Sequence, residues 1–145
     1  MNALIRSFHI DDERAVVALW EQCGLTRPWN DPHKDIARKL AIQPELFLVG
    51  TESAAIVATV MAGYDGHRGW VNYLAVGPAF RGRGFARVLM GRVEEMLLAM
   101  GCPKISLLIR SSNPEVMAFY RHIGYAQDDV ASFGKRLIHD RPVGA

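Results

Sequence analysis

One stretch near the middle of the chain constrains the fold more than any other. An apolar, strand-like segment ends at Gly77-Pro78, a turn with the sequence Arg81-Gly82-Arg83-Gly84 follows, and a helical pattern begins at Phe85. A strand, turn and helix in this order point free backbone N–H groups and the positive end of a helix dipole at one place. Such a place suits a phosphate or pyrophosphate group.

The composition is typical of a single globular domain. The chain has 145 residues, of which 50% are hydrophobic and 22% charged, and this length is enough to bury a core. A formal net charge of +2 without a Lys/Arg block argues against nucleic acid as a partner. We therefore expect one domain over residues 1–145.

The sequence carries no signal for secretion or for membrane insertion. Its first residues lack the apolar stretch of a signal peptide, and no window approaches the roughly 18 apolar residues of a membrane span. Cys23 and Cys102 are far apart and form no CxxC pair, which argues against a disulfide framework or a zinc site. We expect a cytoplasmic protein with no metal and no membrane partner.

Hydrophobic periodicity and turn residues predict the element order β, α, α, β, β, β, α, β, α, β, β. This order predicts an α/β fold with a mixed sheet and helices on both faces. The strand–helix–strand unit over residues 70–110 should be a right-handed crossover between parallel strands. The predicted strands cover residues 4–8, 46–49, 55–64, 70–76 and 104–110, and two weaker strands follow between residues 130 and 138.

The glycine turn does not match the two common nucleotide motifs. A dinucleotide-binding fold needs Gly-x-Gly-x-x-Gly and an acidic residue about 20 positions later. Here Arg87 occupies the third glycine position, and residues 101–103 contain no acid. A P-loop needs Gly-Lys-Ser/Thr, which is absent. Two interpretations remain, a pyrophosphate cradle with added arginine charge and a basic, solvated turn.

The segment Arg81-Gly82-Arg83-Gly84-Phe85-Ala86 resembles the Arg/Gln-x-x-Gly-x-Gly/Ala signature of the GNAT acetyltransferases. Val76-Gly77-Pro78 is similar to the strand break that precedes this signature, and Asn113 and Tyr120 match the family's Asn and Tyr on the next helix. The similarity is strongest over residues 70–125. The segment Trp29-Asn30-Asp31-Pro32 further resembles the small bacterial YpeA-type branch.

The resemblance implies the GNAT fold, a mixed, mostly antiparallel twisted sheet of about six to seven strands with helices on both faces. It implies an N-acetyltransferase that moves acetyl from acetyl-CoA to a primary amine of a small molecule or peptide, by direct attack in a ternary complex. The alternatives are a protein lysine or N-terminal acetyltransferase and a catalytically silent CoA-binding sensor module. Exposed edge strands also permit a homodimer.

The resemblance also implies roles for particular residues. The backbone of the glycine turn holds the pyrophosphate, the strand before it accompanies the pantetheine arm, and Tyr120 matches the general acid. An N-cap role for Asn113 and a merely structural Tyr120 remain alternatives. The implied cofactor-binding residues are Leu74, Ala75, Val76, Arg81, Gly82, Arg83, Gly84, Phe85, Ala86 and Asn113.

The general base is the point at which this sequence departs from a known pattern. Relatives that acetylate protein N-termini have a glutamate five residues before the Asn, and this chain has Leu108 there. Because an amine must lose a proton before it attacks, another route is needed. The candidates are Asp65, His67 and a chain of water molecules, of which water is favoured.

The acceptor side is predicted between the first two helices and at the turn before the central strand. The candidate substrate residues are Trp29, Asn30, Asp31, Asp65 and His67. Trp29 could supply an aromatic wall and Asp31 could attract a cationic amine. The alternative is that Trp29 covers the core and Asp31 caps a helix.

Overall fold

A computed structural model describes residues 3–140. Within this range no helix is long and apolar enough to cross a membrane. The strands are β1 (Ala3–Ser7), β2 (Phe47–Glu52), β3 (Ala55–Tyr64), β4 (Gly69–Val76) and β5 (Ile105–Leu107). The helices are α1 (Glu13–Gln22), α2 (Pro32–Leu40), α3 (Phe85–Ala99) and α4 (Pro114–His122).

The five strands form one mixed sheet in the order β1-β2-β3-β4-β5. The first four strands pair antiparallel with their neighbours, whereas β4 and β5 pair in parallel. Helix α3 connects these two parallel strands, as the sequence predicts. The mixed, mostly antiparallel sheet is therefore confirmed.

Helices cover both faces of the sheet because its strands alternate between two apolar clusters. In β2, Leu48 packs with the α3 residues Leu89 and Val93, whereas Phe47 packs with the α1 residue Trp20 on the opposite face. This alternation follows from the two-residue period of a β-strand. The prediction of a sheet buried on both sides is confirmed.

The strand count is lower than predicted. The described residues contain five strands instead of six to seven, and β5 has three residues where the sequence predicts 104–110. No strand forms between residues 126 and 139, where Val130 is 80% exposed and Phe133 is 94% exposed. The apolar pattern there is not matched by a pairing partner, and a strand depends on its partner more than on its own propensity.

Candidate active site

The central feature of the site is an unpaired edge of β4. Parallel pairing with β5 covers only Gly69 to Val71, opposite Ile105 to Leu107. From Asn72 to Val76, no described strand pairs with the β5-facing side of β4, although β3 remains paired on the other side. The backbone on this open side can therefore pair with an extended ligand, as a strand edge pairs with a peptide.

A β-bulge interrupts β4 at the point where the two parallel strands separate. Thr59 faces Ala75 and Met61 faces Asn72, so that Val60 alone stands opposite both Tyr73 and Leu74. Tyr73 has a φ of 53°, in the left-handed region that non-glycine residues rarely adopt. Bulges bend a strand and redirect its backbone groups.

The glycine turn follows β4 after one short 3-10 turn (Pro78–Phe80) and leads into α3. Gly82 and Gly84 have φ values of 76° and 88°, which an L-residue adopts only with strain. Gly84 is the N-cap residue of α3 and offers no side chain to cap it. The amides of Phe85, Ala86 and Arg87 precede the first helical hydrogen bond and donate to no acceptor within residues 3–140. This end of α3 is therefore free to bind an anion.

The arginine side chains of the turn contact the protein itself. Arg81 donates from Nε to the carbonyl of Val76 at 3.1 Å and contacts the Cys23 thiol at 3.8 Å. Arg83 pairs with Glu52 at 2.5 Å, and its guanidinium lies 5.4 Å from the centre of the Phe80 ring. The turn is thus held from both sides, and its backbone amides are the groups left for a ligand.

Tyr120 and Asn113 both lie on α4 or at its start. The Asn113 side chain accepts a hydrogen bond from the Val116 amide at 3.3 Å, so it caps the helix. The ring of Tyr120 is buried, with edge-to-face contacts to Phe119 and Tyr125 at 5.2 and 5.4 Å. Burial raises the pKa of the Tyr120 phenol well above its usual range.

The Tyr120 hydroxyl differs from most buried polar groups. It makes no hydrogen bond to any residue between 3 and 140. The same range contains no unpaired side-chain oxygen that is fully buried, so this hydroxyl reaches the accessible surface. It is a protonated donor from which no group within residues 3–140 accepts.

The loop between α1 and α2 begins beside the glycine turn. Cys23, which ends α1, donates from its thiol to the carbonyl of Val76 at 3.5 Å. The loop borders a surface cavity of about 330 Å³. Its lining residues are Glu21, Thr26, Arg27, Pro28, Asn30, Asp31, Pro32 and His33.

Two of the residues predicted to bind the acceptor substrate make hydrogen bonds within the protein at this loop. Asp31 caps α2 by accepting from the amides of His33 and Lys34 at 2.9 and 3.3 Å. Asn30 accepts a hydrogen bond from Arg136 at 2.6 Å. Trp29 is 50% exposed, so it does not cover the core.

Asp65 and His67 lie apart from the other predicted site residues. Their turn precedes Gly69, at the end of β4 where β5 is paired, whereas the open edge lies toward Val76. The Asp65 carboxylate accepts from the amides of Arg68 and His67, and these bonds lower its pKa. A carboxylate used in this way shapes the turn and is a weak base.

A family model described as the acetyltransferase (GNAT) family matches residues 11–125. The chain belongs to this family. The match covers β4, the glycine turn and Tyr120, to which the sequence resemblance gives roles.

Relatives of this GNAT chain agree with the family assignment. It is 53% identical over 137 residues to an acetyltransferase of Pectobacterium atrosepticum, and the match covers 94% of this chain and 97% of the relative. Its fold is similar to that of AAC(6')-Iy in complex with a CoA-S-monomethyl-acetylneamine bisubstrate analog, with a TM-score of 0.78, 17% identity and coverage of 94% and 99%. It is also similar to glucosamine-6-phosphate N-acetyltransferase from Arabidopsis thaliana, with a TM-score of 0.70, 21% identity and coverage of 95% and 100%.

The residues of this GNAT site fit a bound CoA. A pyrophosphate needs several convergent N–H donors, and the first turn of α3 supplies free ones. A Cβ built at Gly82 or Gly84 meets no atom within 4 Å, so the space above the turn is open. These backbone groups can therefore be approached closely by a ligand.

Sequence reasoning missed a set of polar contacts behind the GNAT site. The Tyr73 hydroxyl donates to Asp35 on α2 at 2.6 Å, and the Tyr73 ring stacks on Trp20 with centroids 3.8 Å apart. Asp35 also pairs with Arg38 at 3.1 Å. Only the Asp35–Arg38 pair has a local signal, its i,i+3 spacing on a helix. The contacts of Tyr73 depend on the bulge, which the strand pattern does not reveal.

Proposed function

We propose that this protein is an N-acetyltransferase that transfers acetyl from acetyl-CoA to a primary amine of a small molecule or peptide, by direct attack in a ternary complex. The observation that carries the proposal is the edge of β4 from Asn72 to Val76, with which no strand within residues 3–140 pairs on its β5 side. The short segment after this edge brings the chain to the start of α3, where the first amides donate to no acceptor in the same range. An extended ligand with a pyrophosphate at one end matches both features. CoA has this shape.

In this proposal the donor is held mainly by backbone groups. The pantetheine arm pairs with β4, and the pyrophosphate binds at the turn, where the α3 dipole adds attraction. Asn113 contacts the cofactor while it also caps α4. The residues assigned to the donor are Leu74, Ala75, Val76, Arg81, Gly82, Arg83, Gly84, Phe85, Ala86 and Asn113.

The reaction forms one bond and breaks another. The amine nitrogen attacks the thioester carbonyl carbon, the carbon–sulfur bond breaks, and its electron pair leaves with the sulfur. A main-chain N–H of β4 stabilises the negative charge that develops on the carbonyl oxygen. Tyr120 gives its proton to the departing thiolate and is reprotonated from solvent. Because a free thiol with a pKa of about 8.5 is already a fair leaving group, this help is worth roughly 100-fold in turnover, at the low end for general acid catalysis.

We assign the removal of the amine proton to water. Leu108, which stands where some relatives have a glutamate, is 71% exposed and carries no basic group. Asp65 and His67 lie at the paired end of β4, away from the open edge. An amine with a pKa of about 8 to 10 can instead lose its proton to solvent before it enters the site.

The acceptor is proposed to enter beside the α1–α2 loop. The cavity of about 330 Å³ is lined by Asn30 and Asp31 and lies on the loop that starts next to the glycine turn. Trp29 is half exposed and available for stacking on an incoming ligand. This cavity suits a small amine or the end of a peptide.

A homodimer is a further part of the proposal. Leu137 and Ile138 are 84% and 65% exposed, and β5 is an edge of the described sheet. An exposed apolar segment and an open strand edge each favour contact with a second copy. Light scattering should give twice the monomer mass, and Leu137→Ser should lower it. A monomeric mass for the unaltered protein contradicts the dimer.

Two measurements test the proposed function. Calorimetric titration with acetyl-CoA should show saturable binding that NAD and AMP do not compete away. A thiol-release assay over amines, amino acids and peptides should then identify an acceptor. Failure to bind acetyl-CoA overturns the donor assignment, whereas binding without turnover on the whole panel supports the silent CoA-binding module.

A further inference from the structure

The bulge in β4 is held by a buried side chain from the neighbouring strand. The Thr59 hydroxyl donates to the carbonyl oxygen of Tyr73 at 2.8 Å, in the part of the β3–β4 ladder that the extra residue interrupts. A bulge leaves backbone groups without their usual partners. Here a hydroxyl supplies the missing hydrogen bond.

The direction of this hydroxyl is itself fixed. Thr59 is fully buried, and its oxygen accepts a hydrogen bond from the indole N–H of Trp20 at 2.9 Å. A hydroxyl has only one proton to donate, and the Tyr73 carbonyl receives it. Trp20 is also fully buried, and its ring stacks on Tyr73 at an interplanar angle of 11°. The three residues are thus joined pairwise by two hydrogen bonds and one ring stack.

This arrangement sets the orientation of one peptide group at the open edge. The peptide between Tyr73 and Leu74 is planar and trans, so its C=O and N–H point in opposite directions. Since the carbonyl is held toward Thr59 on β3, the Leu74 N–H is directed away from β3. On that side, β5 no longer pairs with β4.

We propose that Thr59 is a positioning residue, whose hydroxyl fixes the Tyr73–Leu74 peptide so that the Leu74 N–H hydrogen-bonds the carbonyl oxygen of an acetyl thioester. The inference rests on the proposed acetyl-CoA-dependent activity and adds to it the residue that orients the Leu74 N–H. A hydrogen-bond donor of this kind assists the reaction most when the N–H already points at the carbonyl oxygen before negative charge develops there. No covalent bond to Thr59 forms or breaks.

The test uses the infrared carbonyl stretch of carbonyl-¹³C-labelled acetyl-CoA bound to the protein, which needs no acceptor. In the unaltered protein the stretch should lie at lower frequency than for free acetyl-CoA, because a hydrogen bond polarises the carbonyl. Thr59→Val removes the hydroxyl at nearly constant volume, and Thr59→Ser retains it. Thr51→Val is the matched control, because Thr51 is also buried, on the neighbouring strand β2.

We expect Thr59→Val to lose more than about half of the frequency shift, and turnover with any active acceptor to fall roughly 10-fold or more. Thr59→Ser and Thr51→Val should keep the shift. Calorimetry should show that acetyl-CoA still saturates every variant. If Thr59→Val does not fold, Thr59→Cys replaces it, since a thiol is a weak donor that should give an intermediate shift.

The outcomes separate the inference from the function on which it rests. A full shift in Thr59→Val, or in Thr59→Cys when that variant is used, overturns the inference, as does an equal loss in Thr51→Val. Binding to the unaltered protein without any shift also overturns it. Absence of acetyl-CoA binding to the unaltered protein overturns the proposed function itself, and the inference falls with it.

Discussion

Arg136 donates a hydrogen bond to the side-chain oxygen of Asn30 at 2.6 Å, which joins two residues 106 positions apart. The same guanidinium donates to the carbonyl of Trp29. Close by, the fully buried carboxylate of Asp140 accepts from the amide of Asp31 at 2.8 Å and pairs with Arg38. The segment from 126 to 140 forms no strand, and these polar contacts fix it to the α1–α2 loop and to α2.

Replacing Arg136 should weaken binding of the acceptor and leave binding of acetyl-CoA unchanged. Arg136→Gln removes the charge-assisted bonds to Asn30 and Trp29, so the wall of the proposed acceptor cavity, which Asn30 lines, loosens. We expect the KM for the acceptor to rise roughly 10-fold, with the Kd for acetyl-CoA unchanged. Lys135→Gln makes the same charge change at an exposed neighbour and serves as the control. An equal effect of both variants contradicts a specific role for Arg136.

Asp140 should contribute stability that depends on pH. Its hydrogen bonds from Arg38 and from the Asp31 amide lower its pKa to about 2. In the unfolded chain an aspartate has a pKa of about 3.9. The contribution is therefore complete above about pH 4 and is lost as the pH falls through about 2.

Melting curves between pH 6 and pH 2 check this expectation. Asp140→Asn should lower the Tm at neutral pH and flatten its fall below about pH 4, because the titrating group is gone. Asp129→Asn, at an exposed position of the same segment, should leave the curve of the unaltered protein in place. An unchanged slope in Asp140→Asn would show that other carboxylates carry the acid sensitivity.

Gly84→Ala should weaken acetyl-CoA binding beyond its effect on stability. The φ of 88° makes alanine unfavourable by about 1 kcal/mol, which corresponds to a Tm loss of about 3 °C. Gly66 has a φ of 92° and equally open surroundings, but it lies in the turn before the paired end of β4. Gly66→Ala should therefore lose similar stability, whereas only Gly84→Ala should raise the acetyl-CoA Kd, roughly 10-fold. Titration calorimetry on both variants compares their Kd for acetyl-CoA, and an equal rise in the two variants contradicts a role for the glycine turn in binding.

Tyr120→Phe should reduce turnover roughly 100-fold while acetyl-CoA affinity stays within a few-fold. Its Tm should change by less than about 2 °C, because the hydroxyl has no partner within residues 3–140 to lose. Tyr125→Phe is the control, since that neighbouring hydroxyl instead donates to Glu94 on α3 at 2.7 Å. Turnover equal to that of the unaltered protein would reduce Tyr120 to a packing residue.

Local sequence patterns predicted the central part of the fold well. The strand that ends at Val76 and the helix that begins at Phe85 both follow from signals within a few residues, namely the proline break, the glycines and the apolar periodicity. The length of β5 depends instead on how far a distant strand stays in contact with β4. The two strands predicted between residues 130 and 138 do not form, for the same reason. Their own side chains cannot specify which neighbouring strand they would pair with.

The candidate site likewise has a part that local sequence predicts and a part that it does not. The glycine turn could be recognised because its backbone requirements restrict which residues can stand there. The hydrogen bonds that join Trp20, Thr59 and Tyr73 could not, since they link residues 39 and 14 positions apart through an irregular strand. Asp140 had no signal at all, because its burial depends on arginines that precede it by 102 positions and by four.

The separation of β4 from β5 bears on how such a site tolerates mutation. A ligand that pairs with the open edge and with the first amides of α3 is held by atoms that nearly every amino acid possesses. Most point substitutions cannot delete these atoms, so recognition of the donor survives extensive drift in sequence. The side chains around the α1–α2 loop have no such protection. One half of the pocket can therefore diversify toward new acceptors while the other half keeps its ligand.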